Sequence, residues 1–382
     1  MGPLSGLKVV EMGAIGPVPF CGMMLSDLGA DVVRIDRIEP AGLGIQPDTK
    51  YQITNRGRRS LAVDLKSPRG IEIVLGLIGR ADALIEGFRP GVMERLGIGP
   101  EVCAARNGRL VYGRMTGWGQ DGPLAQTAGH DINYIGLAGV LHSIGGRGGP
   151  PVPPLSLVGD FGGGALYLCV GVLAAIIEAR RSGKGQVVDA AMVDGAASLM
   201  TPFVGMIAAG IWSEQRGANA ADTGSHFYNV YLTADEEYVA IGCVEAKFYA
   251  QFLKLIGLAE DAELAAHQMD AARWPDFTER VAKVMRTRTR AEWTALLQNT
   301  DVCFAPVLRP SEAPHHPHLK ARQTFVDYAD VVQPAPAPRF ARTPAAIQSP
   351  PVDAGANSEE VLAALGLSAA EIAELRRARV IL

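Results

Sequence analysis

Short apolar stretches alternate with longer amphipathic stretches over the first third of the chain. The apolar stretches predict strands, and the stretches between them predict helices, at Pro19–Leu28 and from Pro68, which follows Ser67 in a favoured helix start. The predicted strands are Leu7–Glu11, Asp31–Ile35, Ser60–Leu65, Ala83–Glu86 and Leu110–Met115. This alternation predicts a Rossmann-like α/β domain, in which helices cover both faces of a parallel sheet.

The pattern changes beyond this region. A Gly- and Pro-rich stretch at Gly145–Pro154 predicts a long loop, and a continuous apolar stretch predicts a helix over Gly164–Ser182 that ends at Gly183. Residues 186–215 predict a strand followed by a helix. We therefore assign residues 1–215 to one large α/β domain.

A smaller α+β domain is predicted over residues 216–330. It opens with a hairpin formed by Tyr228–Leu232 and Tyr238–Cys243, and it continues with helices near 247–257 and 275–299. A chain of 382 residues is long enough for two such domains.

The last part of the chain, residues 331–382, is predicted to return to the large domain. It begins with a Pro- and Ala-rich linker at 331–356. It ends with an amphipathic helix, Ser358–Arg377, which is interrupted near Gly366.

Composition argues against several kinds of partner. The net charge of −4 gives no electrostatic reason to expect nucleic acid or an anionic membrane as a partner. The longest apolar stretch, Ala165–Ile177, has the length of a buried helix and not of a membrane span. The five cysteines are odd in number and distant from one another, which disfavours disulfides and a four-cysteine zinc site. Because no targeting segment is recognisable, we expect a cytoplasmic protein with reduced thiols.

A glycine-containing turn after the first predicted strand invites comparison with dinucleotide-binding proteins, because Asp36 ends the next strand. The turn runs Gly13-Ala14-Ile15-Gly16-Pro17, however, and lacks the G-x-G-x-x-G spacing. Pro17 also removes an N–H that a phosphate would require. We therefore disfavour an NAD-dependent oxidoreductase.

Basic residues concentrate in one region of an otherwise acidic chain. Residues 50–69 contain six Lys or Arg side chains and one acid, Asp64. Arg37, Arg89 and Arg95 follow predicted strands, and ligands bind at the carboxyl ends of parallel strands. Guanidinium groups at that edge suit a polyphosphate ligand. The alternative, a solvated surface, stays open on charge alone.

The hexapeptide Gly129–Tyr134 is the most suggestive catalytic segment. His130 is predicted to lie at the start of a helix, where the helix dipole favours the neutral imidazole that accepts a proton. The N–H groups of such a first turn also stabilise developing oxyanions. The alternative is structural, with Asp131 acting as a helix cap.

Asp160 is the second candidate acid or base. Gly162, Gly163 and Gly164 follow it at the start of the predicted long helix, and each costs about 1 kcal/mol relative to alanine. Such a cost indicates close approach by another backbone or by a ligand, so we favour a chemical role over a simple N-cap. No metal site is predicted, because His315–His318 contain a proline and lack a nearby cysteine or pair of acids.

These motifs belong to a set that extends along essentially the whole chain: Gly2–Glu11, Asp27–Arg37, Ile85–Gly91, Gly113–Gln120, Gly129–Tyr134 and Glu360–Gly366. Together they resemble the α-methylacyl-CoA racemases, a group within the class III CoA-transferase superfamily. Most of these segments are shared by the superfamily and imply a CoA ligand. The His-Asp pair at His130 and Asp131 resembles the racemases in particular.

The resemblance implies the class III CoA-transferase fold and an interlocked homodimer. The residues implied for the CoA portion of an acyl-CoA substrate are Arg37, Val63, Asp64, Leu65, Lys66, Gly87, Phe88, Arg89 and Arg95. Those implied for the thioester end are Gly129, Ile132, Asn133 and Tyr134. Glu245 is expected to reach His130 across the dimer interface and to orient it.

The implied reaction interconverts (2R)- and (2S)-2-methylacyl-CoA thioesters through an enolate. His130 and Asp160 are the expected acid–base pair, and an N–H near Asp131 is the expected donor to the enolate oxygen. No metal or redox cofactor is expected, because CoA is part of the substrate. Two alternatives remain: a CoA-transferase in which Asp160 is the nucleophile, and a non-catalytic acyl-CoA-binding protein.

Overall fold

The computed structural model describes residues 2–39, 42, 44–45 and 47–382. The strands are β1 (Lys8–Met12), β2 (Asp31–Asp36), β3 (Arg59–Ala62), β4 (Ala83–Glu86), β5 (Val111–Thr116), β6 (Gln186–Ala191), β7 (Tyr228–Leu232), β8 (Tyr238–Gly242), β9 (Phe304–Val307), β10 (Phe325–Tyr328) and β11 (Val331–Pro334). The α-helices are α1 (Pro17–Asp27), α2 (Pro68–Ile78), α3 (Val92–Arg95), α4 (Pro100–Arg106), α5 (Asp131–Leu137), α6 (Val140–Ser143), α7 (Leu166–Ser182), α8 (Met192–Leu199), α9 (Thr201–Ala208), α10 (Ala246–Ile256), α11 (Ala262–Ala266), α12 (Trp274–Met285), α13 (Arg290–Leu297), α14 (Pro317–Ala321), α15 (Ser358–Leu365) and α16 (Ala369–Arg377). Short 3₁₀ helices occupy Thr49–Tyr51, Ile53–Asn55 and Ala313–His315, and a π-helical segment occupies Leu157–Ala165.

The chain forms two compact units. The first contains the residues up to Ala138, Leu155–Leu199 and Lys320–Leu382, and the second contains Gly139–Pro154 and Met200–Leu319. The chain therefore passes from one unit to the other after residues 138, 154, 199 and 319, whereas the sequence places the domain boundaries after residues 215 and 330.

The first unit is built on a six-stranded sheet in the order β3-β2-β1-β4-β5-β6. All neighbouring strands are parallel, so the predicted parallel α/β sheet is confirmed. The order reverses between β1 and β4. In open α/β sheets, such a reversal leaves a crevice at the carboxyl ends of the two strands, where ligands bind.

Apolar side chains pack on both faces of this sheet. On one face, α2, α4, α15 and α16 contribute to a cluster that includes the fully buried Leu84 and Leu362. On the other face, α1 and α7 contribute to a second cluster that includes Ile85 and Leu168. Gly366 ends α15 at a φ of 106°, so the predicted interruption of the C-terminal helix is confirmed.

The long apolar helix begins later than predicted. α7 starts at Leu166 rather than at Gly164, and π-helical turns precede it. Within those turns, Gly163 lies against α8: a Cβ built on Gly195 would lie 1.8 Å from the Gly163 carbonyl oxygen. The glycines therefore permit contact between two backbones. Asp160 lies inside a helical turn, so the N-cap alternative for it is wrong.

By length and composition alone, the helical run Leu157–Ser182 is the one described segment that matches a membrane span. Leu168, Val172 and Ile176 of that run are buried against the sheet. A buried core helix passes the same test of length and composition, so the match alone does not predict a membrane partner.

Gly195→Ala is expected to destabilise the first unit by about 1–3 kcal/mol, the usual cost of overpacking, because its Cβ would collide with the Gly163 carbonyl. Gly205→Ala is the matched control, since a Cβ on this residue of α9 meets no atom of the described residues within 4 Å. Removal of a helical glycine should stabilise the control by up to about 1 kcal/mol. Urea unfolding measures both effects, and equal midpoints for the two variants would contradict the close contact.

The second unit is built on an antiparallel sheet in the order β7-β8-β9, and α10, α12 and α13 contribute to its apolar core. The predicted hairpin is confirmed as β7 and β8. The helix predicted over 275–299 is instead two helices, because Thr289 caps the second. Its hydroxyl accepts the Glu292 N–H, and the Glu292 carboxylate accepts the Thr289 N–H.

The predicted linker at 331–356 contains a strand that the sequence pattern did not predict. Val331–Pro334 pairs in antiparallel register with Phe325–Tyr328, within the first unit. The two strands form a separate two-stranded sheet. A Pro-rich composition concealed this short hairpin, because proline is disfavoured in most strand positions.

His226 is a buried titratable side chain in the second unit. Its Nε2 lies 2.7 Å from the hydroxyl oxygen of Tyr249, which donates its own proton to the Leu264 carbonyl, so Nε2 carries the ring proton. The other ring nitrogen, Nδ1, has no partner among the residues that the structure describes. Burial lowers the pKa of His226 to about 4, so the fold holds the neutral ring.

Acid is therefore expected to weaken the second unit. The folded ring binds a proton only near pH 4, whereas an unfolded histidine binds one near pH 6.5. The His226 contribution to the free energy of unfolding has its full value above the unfolded pKa and falls as the pH falls below it. The free energy of unfolding has decreased by about 3 kcal/mol when the pH reaches the folded pKa. Urea unfolding of the wild type and of His226→Phe over this range measures the effect. A parallel decline in both proteins would assign it to other groups.

Candidate active site

The predicted CoA-binding residues follow three strands of the parallel sheet. Arg37 follows β2, Val63 follows β3 and Gly87 follows β4. Because the strands are parallel, all three residues lie at the carboxyl edge of the sheet, where ligands bind in this architecture. Residues from distant parts of the chain are thus brought to a single edge.

The segment Val63–Lys66 is held by residues near the end of the chain. Val63 is buried and forms a bridge with Ile381, and the Asp64 N–H donates to the Val380 carbonyl at 2.9 Å. The Asp64 carboxylate accepts the Lys66 N–H, also at 2.9 Å. The side chain of Lys66 is exposed, so it is the cationic group that this segment offers to a ligand.

Two arginines of the basic region are committed to internal ion pairs. Arg56 Nη2 lies 2.6 Å from Asp27 Oδ2, and Arg58 Nε lies 3.1 Å from Glu11 Oε2. All four side chains are buried. The expectation that guanidinium groups of this region bind a polyphosphate is wrong for these two, because they neutralise carboxylates inside the protein.

His130 lies at the N-cap of α5, and Asp131 is the first residue of that helix. The alternative in which Asp131 caps the helix is therefore wrong. The Asn133 side chain accepts the His130 N–H at 3.0 Å and closes the first turn. The imidazole of His130 is exposed, and the Asp131 N–H has no acceptor within the helix, as in the first turn of any helix.

Asp160 is half-buried in the π-helical segment. A Cβ built on Gly16, which has a φ of 72°, would lie 3.4 Å from Asp160 Oδ2. Burial, and then the nearby charge of Asp131, raise the pKa of Asp160 to about 6, against the opposing effects of a Ser156 hydrogen bond and of His130. Near neutral pH this carboxyl group is therefore able both to donate and to accept a proton.

Asp131 links the two candidate bases. Its Oδ1 accepts the Asp160 N–H at 2.7 Å, and its side chain is buried. Gly159 makes this contact possible, since a Cβ there would lie 2.3 Å from Asp131 Oδ1. One hydrogen bond thus fixes the start of α5, which carries His130, relative to the backbone of Asp160.

Tyr134 packs beside this pair. Its ring meets Trp118 edge-on with centroids 4.8 Å apart, and a Cβ on Gly117 or Gly129 would collide with it. Burial, and then the charge of Asp160, raise the pKa of Tyr134, whereas the charge of Arg89 lowers it. Arg89 is therefore within electrostatic reach of the site, which connects the predicted CoA turn to the two candidate bases.

Glu245 belongs to the second unit, where it is the exposed N-cap residue of α10. Its carbonyl accepts the N–H groups of Phe248 and Tyr249, so its position follows from the start of that helix. The expected pairing of its carboxylate with His130 stays a prediction.

The family model for CoA-transferase family III matches residues 4–358. The chain belongs to CoA-transferase family III. It is 44% identical to the α-methylacyl-CoA racemase of Mus musculus, over 99% of this chain and 97% of the relative. It is 42% identical to the α-methylacyl-CoA racemase of Homo sapiens, with the same coverage of both chains.

The fold is also found in solved structures of this family. A CAIB/BAIF family protein from Brucella suis superimposes with a TM-score of 0.83 and 27% identity, over 95% of this chain and 99% of that one. The class III CoA-transferase fold expected from the sequence is thereby confirmed, and so is the resemblance to the racemases. The interlocked dimer stays a prediction.

Two contacts of Asp160 escaped sequence analysis. Gly16 was weighed as part of a dinucleotide turn, and the structure places it against the Asp160 carboxyl group instead. Ser156 hydrogen-bonds that carboxyl group from the preceding turn. Only the Gly16-Pro17 pair, which marks a tight helix start, hinted at such an approach. Within the described part of the chain, no three His, Cys, Asp or Glu side chains form a group suited to a metal ion.

Proposed function

We propose that this chain is an α-methylacyl-CoA racemase that interconverts (2R)- and (2S)-2-methylacyl-CoA thioesters. The observation that carries the proposal is the hydrogen bond between Asp131, the neighbour of His130, and the backbone of Asp160. Asp131 joins the helix start that carries the imidazole to the backbone of Asp160, whose pKa of about 6 suits transfer in both directions. The relatives named α-methylacyl-CoA racemase support the same reaction.

The proposed reaction uses one group on each face of the substrate's C2. One of His130 and Asp160 removes the C2 proton, and the electron pair of the broken C–H bond moves to the thioester oxygen. The Asp131 N–H donates a hydrogen bond to the resulting enolate. The other group then delivers a proton to the opposite face, and the electron pair returns to form the new C–H bond.

The CoA portion is proposed to lie along the carboxyl edge of the sheet. Arg37, Lys66, Arg89 and Arg95 are exposed there and offer positive charge to its phosphates. The phosphates bind far from C2, so these contacts contribute affinity and orientation to the bound thioester.

The homodimer belongs to the same proposal. In the expected interlocked arrangement, Glu245 of one subunit lies beside His130 of the other. A carboxylate in that place would orient the imidazole and stabilise its charged form, as a third group does in a catalytic triad. Since only a proton moves, the reaction requires neither a metal nor a redox cofactor. We also propose that the enzyme acts in the cytoplasm.

A deuterium-exchange assay tests the function. Purified protein is incubated in D₂O with (2R)-2-methylacyl-CoA, and deuterium at C2 and the R/S ratio are measured. Uptake of deuterium together with approach to a near-equal mixture supports the racemase. The rival is a CoA-transferase in which Asp160 attacks the thioester. Absence of C2 exchange, with CoA passing to an added carboxylate, would replace our proposal with that rival.

A further inference from the structure

Glu86 is a fully buried carboxylate at the end of β4. Its Oε2 accepts the Phe88 N–H at 2.7 Å, and its Oε1 accepts from Arg114 Nε at 3.1 Å. Phe88 belongs to the turn Gly87–Gly91, which leaves the sheet directly after Glu86. One carboxylate therefore joins this turn to the neighbouring strand β5.

A second carboxylate holds the other end of the same turn. Arg114 Nη1 donates to Glu94 Oε1 at 2.8 Å, and Nη2 donates to Glu94 Oε2 at 3.3 Å. Glu94 belongs to α3, which starts immediately after Gly91. Glu86, Arg114 and Glu94 thus bracket the turn in a continuous hydrogen-bonded chain.

The buried carboxylate is costly to the fold. Burial raises the pKa of Glu86 to about 7, although the Phe88 N–H and Arg114 both oppose the rise. A raised pKa means that ionised Glu86 is less favourable inside the protein than in water. A buried ion pair is commonly no more stabilising than apolar packing. Stability alone therefore gives little reason for an ionisable group at this position.

The turn adjoins the candidate active site. A Cβ built on Gly87 would lie 2.8 Å from a methyl carbon of Val18, so the turn packs on the start of α1. Arg89, in the middle of the turn, acts electrostatically on Tyr134. Because Arg89 directly follows Phe88, the position of the backbone at Phe88 influences the position of the Arg89 guanidinium group.

We propose that Glu86 is a positioning residue whose ionised carboxylate holds the Gly87–Gly91 turn, and with it Arg89, in the geometry that binds CoA, so that affinity for CoA weakens as the pH falls through neutrality. This inference rests on the proposed function for the role of Arg89. When Glu86 is protonated, one of its two oxygens carries the proton and becomes a poorer acceptor, so the bond from either Phe88 or Arg114 is weakened.

The groups that face Glu86 come from three elements. Arg114 and Tyr112 belong to β5, Glu94 belongs to α3, and the Phe88 N–H belongs to the turn. Arg114 keeps its charge throughout the neutral range, and burial raises the pKa of Tyr112 well above that range. Glu94 is paired with Arg114, whose hydrogen bond contributes to a lowered pKa for this acid. Glu86 is therefore the group of this cluster that titrates near neutrality.

The test measures the dissociation constant of coenzyme A by calorimetry for the wild type and for Glu86→Gln. Between about pH 8 and about pH 6, the wild-type constant is expected to rise about tenfold more than that of the variant, the effect of one hydrogen bond to a charged group. A CoA phosphate also titrates in this range. The difference between the two proteins removes that contribution. A merely structural role for Glu86 would not change this pH profile.

Glu101→Gln is the matched control, because it removes an exposed carboxylate from the first turn of α4 and leaves Glu86, Arg114 and the Phe88 bond in place. This control should keep the wild-type pH profile. Arg89→Gln changes an exposed side chain, and it should bind CoA weakly with the same reduced pH dependence as Glu86→Gln. If Glu86→Gln fails to fold, the pH dependence of CoA binding by Arg89→Gln still tests the inference.

A pH profile that is unchanged in both Glu86→Gln and Arg89→Gln overturns the inference. Deuterium exchange at C2, measured on the same samples, keeps this result separate from the proposed function. Exchange by the wild type together with unchanged profiles refutes the role of Glu86 alone. A pH dependence of CoA affinity that Glu86→Gln reduces as expected, in a protein without exchange, refutes the racemase and supports the role of Glu86.

Discussion

Asp160→Asn is expected to lower racemisation by at least about 100-fold while sparing hydrogen exchange from one enantiomer. Asparagine keeps the shape of the side chain and cannot carry the proton. His130 remains, and its exposed imidazole can exchange its proton with solvent. The enantiomer whose C2 proton faces His130 should therefore gain deuterium without inversion. His130→Ala should show the converse, with exchange confined to the other enantiomer.

The measurement follows the C2 deuterium content and the R/S ratio from each pure enantiomer separately. Asp189→Asn is the matched control, because burial also raises the pKa of Asp189, yet this residue lies on β6 and contacts Gln120. It should racemise normally. Equal exchange from both enantiomers in Asp160→Asn would show that Asp160 is not one of two opposed bases.

Asp131→Asn is expected to change the pH dependence of the reaction. The charge of Asp131 is the second cause, after burial, that raises the pKa of Asp160. Asparagine preserves an oxygen that accepts the Asp160 N–H but removes the charge, so the pKa of Asp160 should fall. At neutral pH a smaller fraction of Asp160 then carries a proton. The direction in which Asp160 is the proton donor should slow by up to about tenfold for each unit of the fall.

Initial rates from each enantiomer across the range from about pH 5 to about pH 8 measure this shift. For the direction in which Asp160 donates, the decline at high pH should begin at a lower pH in Asp131→Asn than in the wild type. The opposite direction, in which ionised Asp160 accepts a proton, should keep more of its activity at low pH. Identical profiles in the two proteins would mean that the Asp131 charge does not control Asp160.

The parallel sheet was predictable because its signals are local. Each strand from Lys8–Met12 to Val111–Thr116 is a short apolar stretch next to a helix-starting or turn-forming residue. Such patterns depend on few neighbours, and the predicted strands agree with the observed ones to within a few residues. The two candidate bases were also found from local context, a helix start at His130 and a run of glycines after Asp160.

The other features of the fold and of the candidate site depend on contacts between residues that are far apart in the sequence. A local sequence pattern does not indicate such contacts. Asp160 was expected at a helix start, and the structure places it in a π-helical segment whose Gly163 meets Gly195 of another helix. Arg58 belonged to a basic stretch, yet its partner Glu11 comes from the first strand. The sequence predicts no role for Glu86, because an acidic residue at the end of a strand is common. Its role is indicated by two contacts of the folded protein, in which its carboxylate accepts from Arg114 and from the Phe88 N–H.

The bridge between Val63 and Ile381 also has a consequence for protein synthesis. The segment Val63–Lys66 is synthesised long before the Val380 carbonyl that accepts the Asp64 N–H. Folding during synthesis proceeds from the N-terminus. This edge of the nascent sheet is therefore incomplete at first, and the segment that we propose binds CoA acquires its final shape only after Val380 and Ile381 have been made.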